Sequence, residues 1–315
     1  MSIRIRWYGW LAGLTIAAGA AVAVQIRSRK TERENPPAGK FIKVEGIRMH
    51  YVERGRGPAV VLLHGNSSLG ADFLISELVL VAEEKYRLIV FDRPGYGYSD
   101  RPRGADRTPE RQAHLIHAAL RRIGVREAVV LGHSWGALVA MAMALNYPRF
   151  VRGLVLEAGF LYPQRRVDLT VLSLAAAPGL GALMRHSVLP LLVRAAWPLV
   201  AALLFAPAPV PQRFWRFPCW MVLRPSQMRA SAAELWLTGS AASRLSRRYS
   251  ELGVPLVILA GRGDHIVDHE AHSGRLHAEL PHSEYRALDG VGHMIHHSNP
   301  QEVLDVIEAV LRHGR

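Results

Sequence analysis

Ala128-Val129-Val130-Leu131-Gly132-His133-Ser134-Trp135-Gly136-Ala137 runs from four apolar residues, through a G-x-S-x-G string, into a helical pattern that reaches Asn146. The short apolar run reads as a buried strand, and glycines at 132 and 136 permit the sharp turn that lifts a serine hydroxyl clear of a sheet. A helix starting there aims its free N–H groups and the positive end of its dipole at the same point, which favours a developing anion. A serine hydroxyl is a weak nucleophile and needs a base, oriented by a third group. The other use of Ser134 in this position is as a helix N-cap.

Outward from this turn the pattern repeats. Phe41–Val44 and Ile47–Val52 read as a hairpin turning at Glu45-Gly46. Strand-like runs at Ala59–Leu63, Leu88–Phe91, Leu154–Leu156, Leu256–Ala260 and Tyr285–Leu288 then alternate with helical patterns at Arg111–Ile123, Ala137–Asn146, Glu270–Leu280 and Pro300–Arg312. A hairpin followed by βα repeats predicts an α/β fold, with a mostly parallel central sheet flanked by helices on both faces. Ligands of such sheets bind beyond the carboxyl ends of the strands. Two of those loops carry the missing partners: Gly261-Arg262-Gly263-Asp264 and Gly290-Val291-Gly292-His293. Asp264 has a neighbour in Asp268 and could itself cap a helix, and His293 has rivals in His296 and His297.

The order Ser, Asp, His, each after a strand of one sheet, resembles the α/β-hydrolase family over about residues 41–315, apart from one insertion. His64-Gly65-Asn66 is similar to the family's HG loop, Asp92 to Ser99 to its D-x-x-G-x-G-x-S stretch, and Gly292-His293 with Asn299-Pro300 to its histidine loop. The resemblance implies that Ser134 is the nucleophile, His293 the base and Asp264 the acid, with the backbone N–H groups of Asn66 and Trp135 as the oxyanion hole. Family members with an aspartate nucleophile, the epoxide hydrolases and haloalkane dehalogenases, have it where this chain has Ser134. The resemblance therefore implies acyl transfer: an esterase- or lipase-like enzyme that cleaves an apolar carboxylic ester and needs no cofactor. The same triad would serve a carbon–carbon bond hydrolase or a cofactor-free perhydrolase, and the non-enzymatic alternative is a binder of a lipophilic ligand.

Composition narrows the remaining classes. The 315 residues are 50% hydrophobic and 21% charged, a globular balance, and the single cysteine, Cys219, excludes an internal disulfide framework and reads as a small buried hydrophobe. His265, His269 and His272 would align on a helix, but without cysteines, and with Asp264 already claimed, they do not make a metal site. Gly95 and Gly97 lack the lysine of a phosphate loop. The formal charge of +13 is unevenly placed: about +5 lies in residues 1–40 and about +9 in residues 162–250, leaving the rest near neutral. Both basic segments are also apolar, which suits an anionic membrane surface better than a nucleic acid.

Trp7 to Ile26 contains no charged side chain and lies between Arg4, Arg6 and the cluster Arg27, Arg29, Lys30. About 20 helical residues reach roughly 30 Å, so residues 1–30 are expected to form an N-terminal transmembrane helix with Trp7, Tyr8 and Trp10 at one interface. Ala21-Val22-Ala23 offers a signal-peptidase site as the alternative, opposed by the basic cluster that follows. Gly9 and Gly13 form a weak G-x-x-x-G pair. The positive-inside tendency places the catalytic body in the cytoplasm. Residues 31–40, with Pro36-Pro37, read as a linker, residues 41–161 and 251–315 as the hydrolase core, and residues 162–250 as a helical cap. In the cap, Val171–Met184 and Val188–Phe205 are helical in pattern, with breaks expected at Pro190 and Pro198. Trp197, Phe214, Trp215, Phe217, Trp220 and Trp236 add bulk, and Arg185, Arg194, Arg213, Arg216, Arg224 and Arg229 are expected to snorkel toward lipid phosphates.

Overall fold

The computed structural model of the chain describes residues 2–102, 107–164 and 172–313, and in the N-terminal helix the side chains of Thr15 and of residues from 17 onward. Eight strands form one sheet: β1 (Lys40–Val44), β2 (Ile47–Arg54), β3 (Ala59–Leu63), β4 (Arg87–Phe91), β5 (Ala128–His133), β6 (Val151–Glu157), β7 (Leu256–Gly261) and β8 (Glu284–Leu288). Their spatial order is β1-β2-β4-β3-β5-β6-β7-β8. The first hairpin is antiparallel, β2 pairs antiparallel with β4, and the other pairs are parallel. Glu45 and Gly46 both have positive φ, 49° and 81°, the two-residue turn whose twist matches the flanking strands. β5 and β7 are buried along their whole length, since helices cover both faces, and this is why they read as unbroken apolar runs.

Around the sheet lie α1 (Ser2–Glu34), α2 (Pro109–Arg122), α3 (Gly136–Asn146), α4 (Leu180–His186), α5 (Val188–Phe205), α6 (Pro225–Ser246) and α7 (Pro300–His313), with shorter turns between them. Thr108 caps α2 by accepting the Arg111 N–H, and proline fills the first helical position. α3 is buried from Gly136 to Leu145 between the sheet and its neighbours. The expected helix over Glu270–Leu280 is a wide turn, Glu270–Gly274, followed by the short helix Arg275–Glu279.

The N-terminal region differs from the expectation in two respects. The helix does not end at residue 30 but continues to Glu34, and β1 starts at Lys40, so the linker shrinks to residues 35–39. Val24, Ser28 and Thr31 are buried; their spacing puts them on one stripe of α1, against the cap helices. Arg224 pairs with Glu32 at 2.7 Å, and the Tyr98 hydroxyl donates to the Glu32 and Asn35 carbonyls. Within residues 31–40 Thr31 is buried, Asn35 and Gly39 are half-buried, and the others are exposed. Among the described residues the helix long and apolar enough to cross a membrane is Val188–Phe205, so the expected N-terminal transmembrane helix is not supported. The side chains of Arg4, Arg6, Trp7, Tyr8, Gly9, Trp10 and Gly13 lie outside the described residues.

In the cap, α5 runs unbroken through Pro198, contrary to the expected break. Pro190 sits in its first turn, where a missing N–H costs nothing, and burial of Pro190, Ala201 and Phe205 holds the helix on the body. Two of the arginines assigned to lipid are internal. Arg185 donates to the carbonyls of Ala175 and Ala177, and Arg224 to those of Met221 and Gly97. Arg194, Arg216 and Arg229 are exposed. Residues 165–171, with Arg165, Arg166, Asp168 and the start of the Val171 run, lie outside the described residues.

Candidate active site

Ser134 occupies the turn between β5 and α3 with φ +54°, a left-handed conformation uncommon for a residue with a side chain. Both flanking glycines are required by contact. A Cβ on Gly132 would lie 2.5 Å from the Gly136 carbonyl oxygen, and one on Gly136 would lie 2.3 Å from that of Leu63. The Ser134 N–H donates to the Glu157 carbonyl at 2.8 Å, tying the turn to the end of β6. The half-buried serine lines a mainly apolar cavity of about 310 Å³ together with Asn66, Trp135, Trp197, Phe214 and His293.

The other two candidates meet beside it. His293 Nδ1 lies 2.7 Å from Asp264 Oδ2, both side chains being buried. Asp264 Oδ1 accepts the N–H groups of Ile266 and Val267 at 2.7 and 3.0 Å. Burial alone would raise the Asp264 carboxyl, but His293 and these two N–H groups outweigh it and hold it below the ordinary carboxylate range. Asp264 is therefore an anion facing Nδ1, which leaves Nε2 as the proton-accepting nitrogen. No hydrogen bond joins Ser134 Oγ to His293 among the described residues; the two share one cavity. The rivals are engaged elsewhere. Asp268 accepts the N–H groups of Glu270 and Ala271, and His296 and His297 pair with Glu157 and Asp72.

A model of the α/β-hydrolase fold family matches residues 58–300, most of the chain. The chain belongs to the α/β-hydrolase fold family. Haloalkane dehalogenase 2 of Mycobacterium tuberculosis is 31% identical over 116 residues, 37% of this chain and 40% of that protein, so the chain spans about two fifths of the length of this relative. The epoxide hydrolase CorEH superposes with a TM-score of 0.71 at 20% identity, covering 88% of this chain and 99% of its own. A bacterial membrane phospholipase A superposes with a TM-score of 0.68 at 22% identity, covering 99% of both chains. At these identities the two superpositions show the fold alone.

The other family motifs fold as the α/β-hydrolase pattern implies. Asp92 accepts the N–H groups of Gly70 and Tyr98 and pairs with His50, while Ser99 donates to the Asp92 carbonyl. A Cβ on Gly97 would lie 2.0 Å from the Asp92 carboxylate. Asn66 follows β3, and its side-chain amide is committed: Nδ2 lies within 3.1 Å of Tyr96 Oη, the Ser231 carbonyl and Glu234 Oε2. Among the described residues, no backbone acceptor in the turns around them takes the N–H groups of Asn66 and Trp135.

Several groups at this α/β-hydrolase site are not evident from the sequence. Asp72, Glu157, His133, His296 and His297 form a buried cluster behind the serine. Burial would lower His296, but Glu157 at 2.6 Å and Asp72 outweigh it and push it up to about 10. A protonated imidazole between two carboxylates bridges them, and leaves the cluster with one negative charge in excess. The backbone N–H of His296 also donates to Glu157, which fixes the loop carrying His293. Burial pushes His133 down to about 4, so its ring is neutral, and its Nε2 donates to the His293 carbonyl at 3.1 Å. The signal for this cluster was the pair His296-His297 itself. His265, His269 and His272 are not gathered: His272 Nδ1 accepts the N–H groups of Leu161 and Tyr162, and His269 meets Tyr285. Burial pushes the Cys219 thiol up to about 12.

Proposed function

We propose that the protein is a serine hydrolase cleaving an apolar carboxylic ester at a membrane surface. The observation that carries this reading is Ser134, held on a left-handed turn and lining an apolar cavity together with His293, which is paired with Asp264. Ser134 Oγ attacks the ester carbonyl carbon as His293 Nε2 takes its proton, and Asp264 holds the resulting imidazolium. The backbone N–H groups of Asn66 and Trp135 receive the oxyanion, each worth about 2.7–4 kcal/mol. His293 returns the proton to the leaving alcohol, and water then releases the acyl group by the same steps in reverse order. Carboxylate chemistry of the dehalogenase kind lacks its nucleophile here, because position 134 carries a hydroxyl.

The membrane part of the reading rests on the apolar surface beside that cavity. Leu180, Leu183, Leu192, Leu199 and Leu203 are exposed on α4 and α5, next to Val22 and Ile26 of α1, while Trp197 and Leu204 of α5 line the cavity. An apolar face of this extent on a monomer marks a lipid or protein contact, and exposed Arg194, Arg216 and Arg229 supply charge complementary to anionic lipid. α1, about 50 Å long at 33 residues, docks its last three turns on the cap and leaves its charge-free run to enter the bilayer.

Fluorophosphonate labelling of the full-length protein beside Ser134→Ala tests the nucleophile, and p-nitrophenyl esters of graded chain length test the substrate class. Equal labelling of both proteins would remove Ser134 from its role. Co-sedimentation of the full chain with anionic vesicles tests the surface, and recovery in the supernatant would count against it.

A further inference from the structure

Arg93 and Glu234 form a fully internal ion pair between core and cap that the proposed reaction does not use. Arg93 follows β4 and is 0% exposed; Glu234, on α6, is 2% exposed. The pair is bidentate, Nη1 to Oε1 at 2.7 Å and Nη2 to Oε2 at 3.0 Å. The guanidinium lies between the rings of Tyr96 and Trp135, 4.7 and 4.8 Å from their centroids. Its Nε donates to the His64 carbonyl at 2.7 Å and its Nη2 to that of Gly65 at 3.0 Å, the two residues immediately before Asn66.

Glu234 saturates its remaining acceptor sites on three separate segments of the core. Oε2 accepts from Tyr96 Oη at 2.6 Å and from Asn66 Nδ2 at 3.1 Å, and Oε1 from Gln112 at 2.9 Å. One turn further along α6, Thr238 Oγ1 accepts the indole N–H of Trp135 at 3.2 Å and donates to the Glu234 carbonyl at 2.8 Å. One face of one cap helix thus grips both residues whose backbone N–H groups face the proposed oxyanion.

We propose that Glu234 and Thr238 are positioning residues: together with Arg93 they fix the oxyanion hole, so the cap sets the rate of the chemical step as well as covering the substrate. A buried bidentate pair with every lone pair satisfied is worth most as a geometric constraint, since burying the two charges offsets much of their attraction. Donors must sit at hydrogen-bonding distance from where the oxyanion forms, and small displacements are costly there. The inference rests on the serine hydrolase reading.

The test compares full-length wild type with Thr238→Val, Thr238→Ser and Glu234→Gln. It reads kcat and KM on a p-nitrophenyl ester and the inhibition constant of a trifluoromethyl ketone, whose adduct with Ser134 bears the oxyanion. Thr238→Val is expected to lower kcat about tenfold with KM within about twofold, to weaken the ketone by the same factor, and to be rescued by Thr238→Ser. Glu234→Gln is expected to exceed that loss. It also leaves Arg93 unpaired, so if it fails to fold, Thr238→Val decides alone. Wild-type kcat and ketone affinity in Thr238→Val, or a rise in KM alone, would overturn the inference while leaving the hydrolase reading intact. Loss of Ser134-dependent fluorophosphonate labelling in wild type would instead remove the hydrolase reading and this inference with it.

Discussion

Gly136→Ala tests the packing that defines the site. The added methyl would sit 2.3 Å from the Leu63 carbonyl oxygen and 2.6 Å from that of His64, backbone atoms with no rotamer to escape into. Ordinary contact begins near 3.4 Å, so the start of α3 must retreat by about 1 Å. Its whole length to Leu145 is buried, so the retreat meets packed atoms on the far side. Overpacking of this kind costs about 1–3 kcal/mol, or about 1.5–5 °C in Tm for a chain of this size. Ser134 and Trp135 immediately precede the residue that moves, and a 1 Å misplacement lowers turnover about 100-fold. Gly239 in α6 is the control: nothing lies within 4 Å of its Cβ position, so alanine there gains about 1 kcal/mol from helix propensity. Differential scanning fluorimetry and ester turnover on both variants give the answer. A Gly136→Ala protein melting within 1 °C of wild type, with half its turnover or more, refutes the reasoning.

Acid weakens the fold through two buried neutral histidines. Burial pushes His64 down to about 3 and His133 to about 4, so as pH falls below 6.5 the unfolded chain binds protons that the folded one does not. Between pH 7.5 and 5 they remove about 4 kcal/mol, while His296, held at about 10, returns about 1 as its contribution becomes complete below 6.5. Urea midpoints are therefore expected to fall by the equivalent of about 2–3 kcal/mol over that range, and an equal or higher midpoint at pH 5 is the contrary result. Cys219, with its thiol raised to about 12, is expected to resist iodoacetamide in the native protein and react in urea; rapid native alkylation would contradict its burial. Glu32→Ala removes the ion pair between α1 and Arg224, but Arg224 keeps its carbonyl acceptors, so a loss under about 1 kcal/mol is expected, read as a small drop in Tm. A gain in Tm would mean the pair strains the docking.

The parallel core was legible because its strands are buried on both faces. Each presents an unbroken apolar run, and the turns after β5, β7 and β8 carry glycines that only close backbone approach explains. Ala59–Leu63 coincides with β3 for this reason. The cap was less legible, because its helices pack on only one side and their outer faces are apolar too. α6 escaped the pattern because its buried face is built from alanine, serine, threonine and Glu234 instead of large apolar residues. Proline at 198 misled, since the tertiary contacts of α5 outweigh one missing hydrogen bond. For the site, the order Ser134, Asp264, His293 sufficed to name the residues that line one cavity or pair beside it. His296 and His297 stood out as a pair, but Asp72 and Glu157 gave no sign, because local sequence cannot show that three distant segments converge.

Glu234 stands out in the sequence by the charge of its surroundings. Residues 162–250 hold eleven arginines and only two acids, Asp168 and Glu234. Glu234 is buried, so it does not serve solubility and needs a specific partner, and that partner is Arg93 in the core. The same helix begins at Pro225, directly after Arg224, whose guanidinium takes Glu32 of α1. The N-terminal helix and the candidate oxyanion residues Asn66 and Trp135 are thus joined through polar contacts made along α6. If lipid holds α1 and the outer face of the cap as proposed, it bears on the helix whose Glu234 and Thr238 bond the side chains of Asn66 and Trp135. Basic charge at the periphery and a single acid at the centre of the cap are then two ends of one arrangement, the first setting where the cap rests and the second what it aligns.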